Sequence, residues 1–112
     1  MTDKTDDSYF MERRAGAGSH CYDAANNLHN PTGPAVKDGC GYEAYYWHGK
    51  RHRVGGPAVT YPNNYQAYYE NGLHHRLDGP AIIYADGTQE WWVRGVRLPD
   101  NPTPADIVLA LL

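Results

Sequence analysis

The sequence predicts a mainly β protein: a single antiparallel meander sheet of stacked 23-residue β-hairpin repeats with a short C-terminal capping helix. Three observations predict it. Gly-Pro-Ala recurs at residues 33–35, 56–58 and 79–81 with no drift in register. The same step relates His29, His52 and His75, then Gly49, Gly72 and Gly95, then Tyr45, Tyr68 and Trp91. Finally, 10 Tyr and 3 Trp stand against a single Phe among 112 residues, and such half-polar rings suit a thin sheet with partly wet faces. A fixed period of this size marks an array of supersecondary units, each too small to bury a core alone.

Residues 1–19 combine low hydrophobicity, mixed charge and the small-residue run AGAGS, which predicts a flexible N-terminal arm. The repeat sheet is expected over 20–99. The 23-residue step sets Cys21-Tyr22 against Ala44-Tyr45 and Asn26 against Gly49, so a degenerate half-unit near residue 20 is expected to cap the array. The best units start at Tyr42 and Tyr65, and a worn copy starts at Thr88. Each opens with five or six residues rich in aromatics, a strand composition. A tight turn follows at 48–50, at Asn71-Gly72 and at Arg94-Gly95. Asn-Gly favours a type I′ hairpin because both central residues need positive φ. Pro57 and Pro80 cannot donate a ladder bond, so they are expected at the start of a strand, at a bulge, or facing water. Second apolar runs follow at 58–61 and 81–84, closed by turns at 62–64 and Asp86-Gly87. In the tail, residues 100–112, Thr103 suits an N-cap, Pro104 the first helical position and Asp106 the first turn, so a short helix is expected to cover the open end of the sheet.

Strand alternation puts residues 42, 44 and 46 on one face and 43, 45 and 47 on the other. Both faces therefore carry aromatics: Tyr42 and Tyr46 on one, Tyr45 and Trp47 on the other. Net charge is −3, the wrong sign for a duplex binder, so no nucleic-acid partner is expected. Two cysteines, Cys21 and Cys40, do not make a disulfide framework, and the acidic N-terminus lacks an apolar signal region. Free thiols and a cytoplasmic location are the expectation. Neither cysteine has a local activating signature, and nothing resembles a nucleophile elbow, phosphate loop or carboxylate pair. No catalytic residue and no cofactor is expected.

The residues of the first two full units resemble the MORN repeat, whose pattern runs close to Y-x-G-x-W-x-x-G-K-x-H-G-x-G before an apolar run and a D-G turn. Tyr42, Tyr46, Gly49, Lys50, His52 and Gly56 occupy that pattern in one unit, and Tyr65, Tyr69, Gly72, Asp86 and Gly87 in the next. Departures are Ala44 and Ala67 for the central Gly, Arg53 and Arg76 after the His position, and the added Gly-Pro-Ala. The resemblance implies hairpins stacked into a twisted antiparallel sheet, serving as a scaffold or interaction module, with some members linked to membranes or phosphoinositides.

The periodic histidines do not read as one metal site. Equivalent positions lie two strands apart, about 9.5 Å, whereas zinc ligands stand at about 2.0–2.1 Å. Each is expected to hydrogen-bond the bend before Gly-Pro-Ala, or Asp78, beside Arg53 or Arg76. The protein-binding candidates are Tyr45, Trp47, Tyr68, Trp91, Arg53 and Arg76, because exposed aromatics with arginine anchor protein interfaces. Trp47 stands out: Glu70 and Val93 replace it in the other units, so the repeat does not require it. The expected function is a non-enzymatic protein-binding module, a small phage or bacterial accessory protein that inhibits or scaffolds an enzyme. A homodimer through a sheet face or edge fits the same surface. The alternative is peripheral membrane or phosphoinositide binding through Lys50, Arg51, Arg53 and Arg76.

Overall fold

The computed structural model describes residues 6–112; the first five residues of the expected arm lie outside the described residues. The chain opens with a hairpin of β1 (Met11–Ala15) and β2 (Gly18–Tyr22). Short strands follow: β3 (Val36–Lys37), β4 (Glu43–Ala44), β5 (Tyr46–Trp47), β6 (Lys50–Arg51) and β7 (Val59–Thr60). The next unit supplies β8 (Gln66–Ala67), β9 (Tyr69–Glu70), β10 (Leu73–His74) and β11 (Ile82–Ile83). The last supplies β12 (Gln89–Glu90), β13 (Trp92–Val93), β14 (Val96–Arg97) and the helix α1 (Pro104–Leu111).

Among the described residues, eight strands form one antiparallel meander in the order β1-β2-β3-β4-β7-β8-β11-β12. The hairpins β5–β6, β9–β10 and β13–β14 continue each unit beyond that sheet and bond to one another through the backbone. Gly72 N–H donates to the Arg51 carbonyl at 2.8 Å, and Gly95 N–H to the His74 carbonyl at 2.9 Å. Each hairpin turns on the expected pair of positive-φ residues: His48 and Gly49, Asn71 and Gly72, Arg94 and Gly95. A side chain with a Cβ at the first of these positions is tolerated because the type I′ turn matches the twist of the flanking strands.

One face carries the main core. Ala44, Val59, Ala67 and Ile82 are buried, and Tyr42, Tyr46, Tyr65, Tyr69, Tyr84 and Trp92 pack against them. The small alanines let rings from adjacent strands lie across the sheet. Arg51 crosses this face, donating to the hydroxyls of Tyr46 at 3.3 Å and Tyr69 at 3.2 Å.

The Gly-Pro-Ala signature has a steric explanation. The Arg53 guanidinium lies 4.0 Å over the Tyr45 ring and donates to the Pro57 carbonyl at 3.2 Å; Arg76 repeats this at 4.1 Å over Tyr68 and 3.1 Å from the Pro80 carbonyl. A Cβ at Gly56 or Gly79 would stand 2.9 or 2.8 Å from the guanidinium carbon of that arginine. Pro57 and Pro80 precede β7 and β11, outside the ladder, and Ala35, Ala58 and Ala81 are fully buried. Gly79→Ala is therefore expected to lower stability by about 1–2 kcal/mol through overpacking. In an Arg76→Ala background the same substitution should be nearly silent, a coupling that chemical denaturation of the double-mutant cycle measures.

Two expectations are corrected. Residues 11–19 are not a flexible arm: β1 pairs along its whole length with β2, and β2 pairs with β3. The composition misled because this is an edge strand, exposed throughout and carrying Glu12, Arg13 and Arg14, charges that suit an open edge. The first unit also slips by one residue. Tyr22 bridges Leu28 across six positions, whereas Tyr46 pairs with Arg51 across five. Asp23 closes the longer turn by accepting from Ala25 N–H at 2.9 Å and Asn27 N–H at 2.8 Å. Asp23 thus occupies the place of Trp47, where the fixed step would have put Ala24.

Helix α1 starts as expected. The Thr103 hydroxyl accepts from Asp106 N–H at 3.2 Å and the Asp106 carboxylate accepts from Thr103 N–H at 2.9 Å, a reciprocal cap. Its C-terminus is tied to the last hairpin by Arg94, which donates to the Leu111 carbonyl at 3.0 Å. No helix among the described residues is long and apolar enough to cross a membrane.

Candidate protein-binding grooves

The face opposite the main core carries the site residues expected from the sequence. Tyr45, Trp47 and Arg53 line one groove of about 420 Å³ together with Asn30, Pro31, His52 and Val54. Tyr68 and Arg76 line the next, about 240 Å³, with Arg53, Glu70, His75 and Leu77. Trp91 lines neither; it is half-buried at the last hairpin, where its carbonyl accepts from Leu98 N–H at 2.8 Å. Arg53 thus forms the wall between the two grooves, held rigid by Tyr45 beneath it and by the Pro57 carbonyl.

The periodic histidines do something other than expected. The arginines, not the histidines, hold the bend before Gly-Pro-Ala. Each histidine instead reaches forward to the turn of the next unit. Nδ1 of His29, His52 and His75 accepts the backbone N–H of His48, Asn71 and Arg94 at 3.1, 3.0 and 3.0 Å. That bond leaves the second ring nitrogen, Nε2, as the N–H donor in the neutral ring. His29 donates it to the Asp7 carbonyl at 2.6 Å, and His75 places it 3.5 Å from the Glu70 carboxylate. His52 has no such partner among the described residues, because Trp47 stands where Glu70 stands one unit later. The Trp47 ring sits against the rings of His29, His48 and His52, with centroids at 4.7, 5.5 and 6.4 Å. The break in the repeat therefore opens an aromatic wall and leaves an oriented donor beside it.

Sequence reasoning missed the rim of these grooves. Pro31, Val54 and Leu77 follow the same 23-residue step, and Val54 and Leu77 are 75% and 47% exposed. The period was the signal that could have found them. The four basic residues weighed for a membrane surface do not converge: Arg51 lies between tyrosines on the opposite face, and Arg76 pairs with Asp78 at 3.0 Å. Cys21 is buried, which pushes its thiol up, and Cys40 is exposed; both are free.

One end of the grooved face is tied to the N-terminal segment. His48 donates from Nδ1 to Asp23 at 2.6 Å and from Nε2 to Asp7 at 2.7 Å, and stacks on His29 at 4.0 Å. Burial pushes the Asp23 carboxyl up, but bonds from His48, from Asn27 and from the Ala25 N–H outweigh it and hold it down at about 2. Bonds to Asp23 and Asp7 raise His48. The two groups act at opposite ends of the pH scale. Asp23, depressed from 3.8, contributes about 2 kcal/mol that is present above pH 4 and lost as pH falls toward 2. His48, raised from 6.5, contributes stability that is full below that value and lost as pH rises through its folded value. Urea midpoints between pH 2 and 9 should fall at both ends for the native chain, with the acid limb flattened in Asp23→Asn.

No family model, no curated protein and no solved structure matches this chain.

Proposed function

We propose that this chain is a MORN-like repeat module that binds another protein, without catalysis of its own, through the groove of Tyr45, Trp47 and Arg53 and its neighbour at Tyr68 and Arg76. A single observation carries this reading. Trp47 stands where the next unit carries Glu70, and in doing so leaves the His52 N–H without a partner among the described residues beside an open aromatic wall. Half-exposed tryptophan and tyrosine with arginine are what interface hot spots use. An accessory protein that inhibits or scaffolds an enzyme fits such a module. The test is capture from the native host by the tagged chain, followed by affinity measurement with the purified captured protein. Trp47→Glu should release that protein while the module stays folded; retention of full affinity would refute the assignment.

A further inference from the structure

The grooves are not isolated: they recur along the sheet at the step of the repeat. Strands β4 and β8 are separated by β7 alone, so equivalent side chains of successive units lie about 9.5 Å apart, twice the strand spacing. That distance discriminates among peptide conformations. A polyproline II chain returns the same side to a surface every three residues, about 9.3 Å. An extended β chain does so every two residues, about 6.7 Å. A helix returns every turn, about 5.4 Å. Only the first keeps step with these grooves. We propose that the partner segment bound by this face is a polyproline II stretch with proline or another apolar residue at every third position, running across the strands from the Trp47 groove to the Leu77 groove. This rests on the protein-binding reading above and names the partner's conformation.

The chemistry of the larger groove agrees. Three side-chain donors line it. The His52 Nε2–H, the Trp47 indole N–H and the outer edge of the Arg53 guanidinium have no carboxylate or carbonyl to engage among the described residues, apart from the one Arg53 bond to Pro57. A polyproline II backbone makes no internal hydrogen bonds, and each proline offers a carbonyl but no N–H. These donors complement the unbonded carbonyls of such a chain, and each proline removes an N–H that would otherwise need an acceptor. The walls complete the fit. Tyr45 and Trp47 present ring surface, and the exposed Val54 and Leu77 form apolar ridges one repeat apart. Such a ligand is already stiff, so little ordering entropy opposes its binding.

The test uses the full chain and two blocked synthetic peptides of ten residues with identical composition. One carries proline at every third position; the other has the same residues shuffled so that prolines fall at every second. Titration followed by two-dimensional NMR and calorimetry reads affinity and location together. The periodic peptide is expected to bind about tenfold tighter or better, the discrimination expected when one of two anchors is out of step. It should move the Trp47 indole and His52 ring signals. Val54→Asp and Leu77→Asp, both at exposed positions and so neutral for folding, should each weaken it severalfold. Equal binding of the two peptides, binding by neither at millimolar concentration, or shifts confined to the Tyr61–Tyr65–Tyr84 face would overturn the proposal. If the captured host protein is still released by Trp47→Glu in that case, protein binding stands and only the polyproline II assignment falls.

Discussion

Trp47→Glu is expected to weaken partner binding at least ~30-fold, the loss of a single aromatic hot spot worth about 2 kcal/mol or more. The substitution writes into the first groove the residue that the second already has. Glutamate would take up the His52 N–H as Glu70 approaches that of His75 at 3.5 Å, and would put a carboxylate where a ligand carbonyl should sit. Both changes act against binding. The fold should tolerate it, because Trp47 is only half-buried and the hairpin turn at His48 and Gly49 is untouched. A loss of stability above about 1 kcal/mol would mean that Trp47 is chiefly a packing residue. Affinity by calorimetry and stability by urea titration on the same preparation separate the two roles.

The largest effect on stability is expected at His29. It is fully buried, both ring nitrogens are bonded, and it stacks on His48 while Trp47 packs edge-on. His29→Ala removes the ring, leaves the His48 N–H without its acceptor and frees the Asp7 carbonyl. A cavity plus an unsatisfied buried donor places the loss at about 3 kcal/mol. For a domain of this size that is roughly 10–15 °C in Tm. His52→Ala breaks the equivalent bond to Asn71 N–H at a half-exposed site and should cost about 1 kcal/mol. The difference between two residues at the same place in the repeat is the informative quantity, because it sums what full burial, the stack on His48 and the bond to the Asp7 carbonyl add at His29. Thermal unfolding followed by circular dichroism reads both.

The periodic part of this fold is legible in the sequence because each repeated residue answers a backbone or steric demand. Gly49, Gly72 and Gly95 sit at positive φ, Gly56 and Gly79 give way to a guanidinium, and Pro57 and Pro80 stay out of the ladder. Such demands recur in every unit, so they leave a period. What was not legible is pairwise and non-periodic. No local pattern shows that β1, made of charged residues, finds a partner in β2, since pairing of an edge strand depends on the register of the whole hairpin. The extra residue in the turn at Asp23 is invisible to a fixed step. The histidine bonds span 19 residues and end on backbone N–H groups, which carry no sequence signature. The candidate site was half legible. Trp47 announced itself by breaking the period, whereas the free donor of His52 follows only once the Nδ1 bond and the absent carboxylate are seen together. Trp91 kept the period yet lies outside both grooves: in its unit Leu98, Pro99 and Asp100 stand where the grooves are lined by His52, Arg53 and Val54 or by His75, Arg76 and Leu77.

The most direct test of this account is the footprint of the captured partner on the isotopically labelled chain. Amide and side-chain signals should move most at Tyr45, Trp47, His52, Arg53 and Val54, then at Tyr68, Arg76 and Leu77, in one connected track across the strands. Tyr61, Tyr65 and Tyr84 on the opposite face should stay in place. A footprint centred on those tyrosines, or along the β1 edge, would contradict the claim that the break in the repeat marks the binding surface.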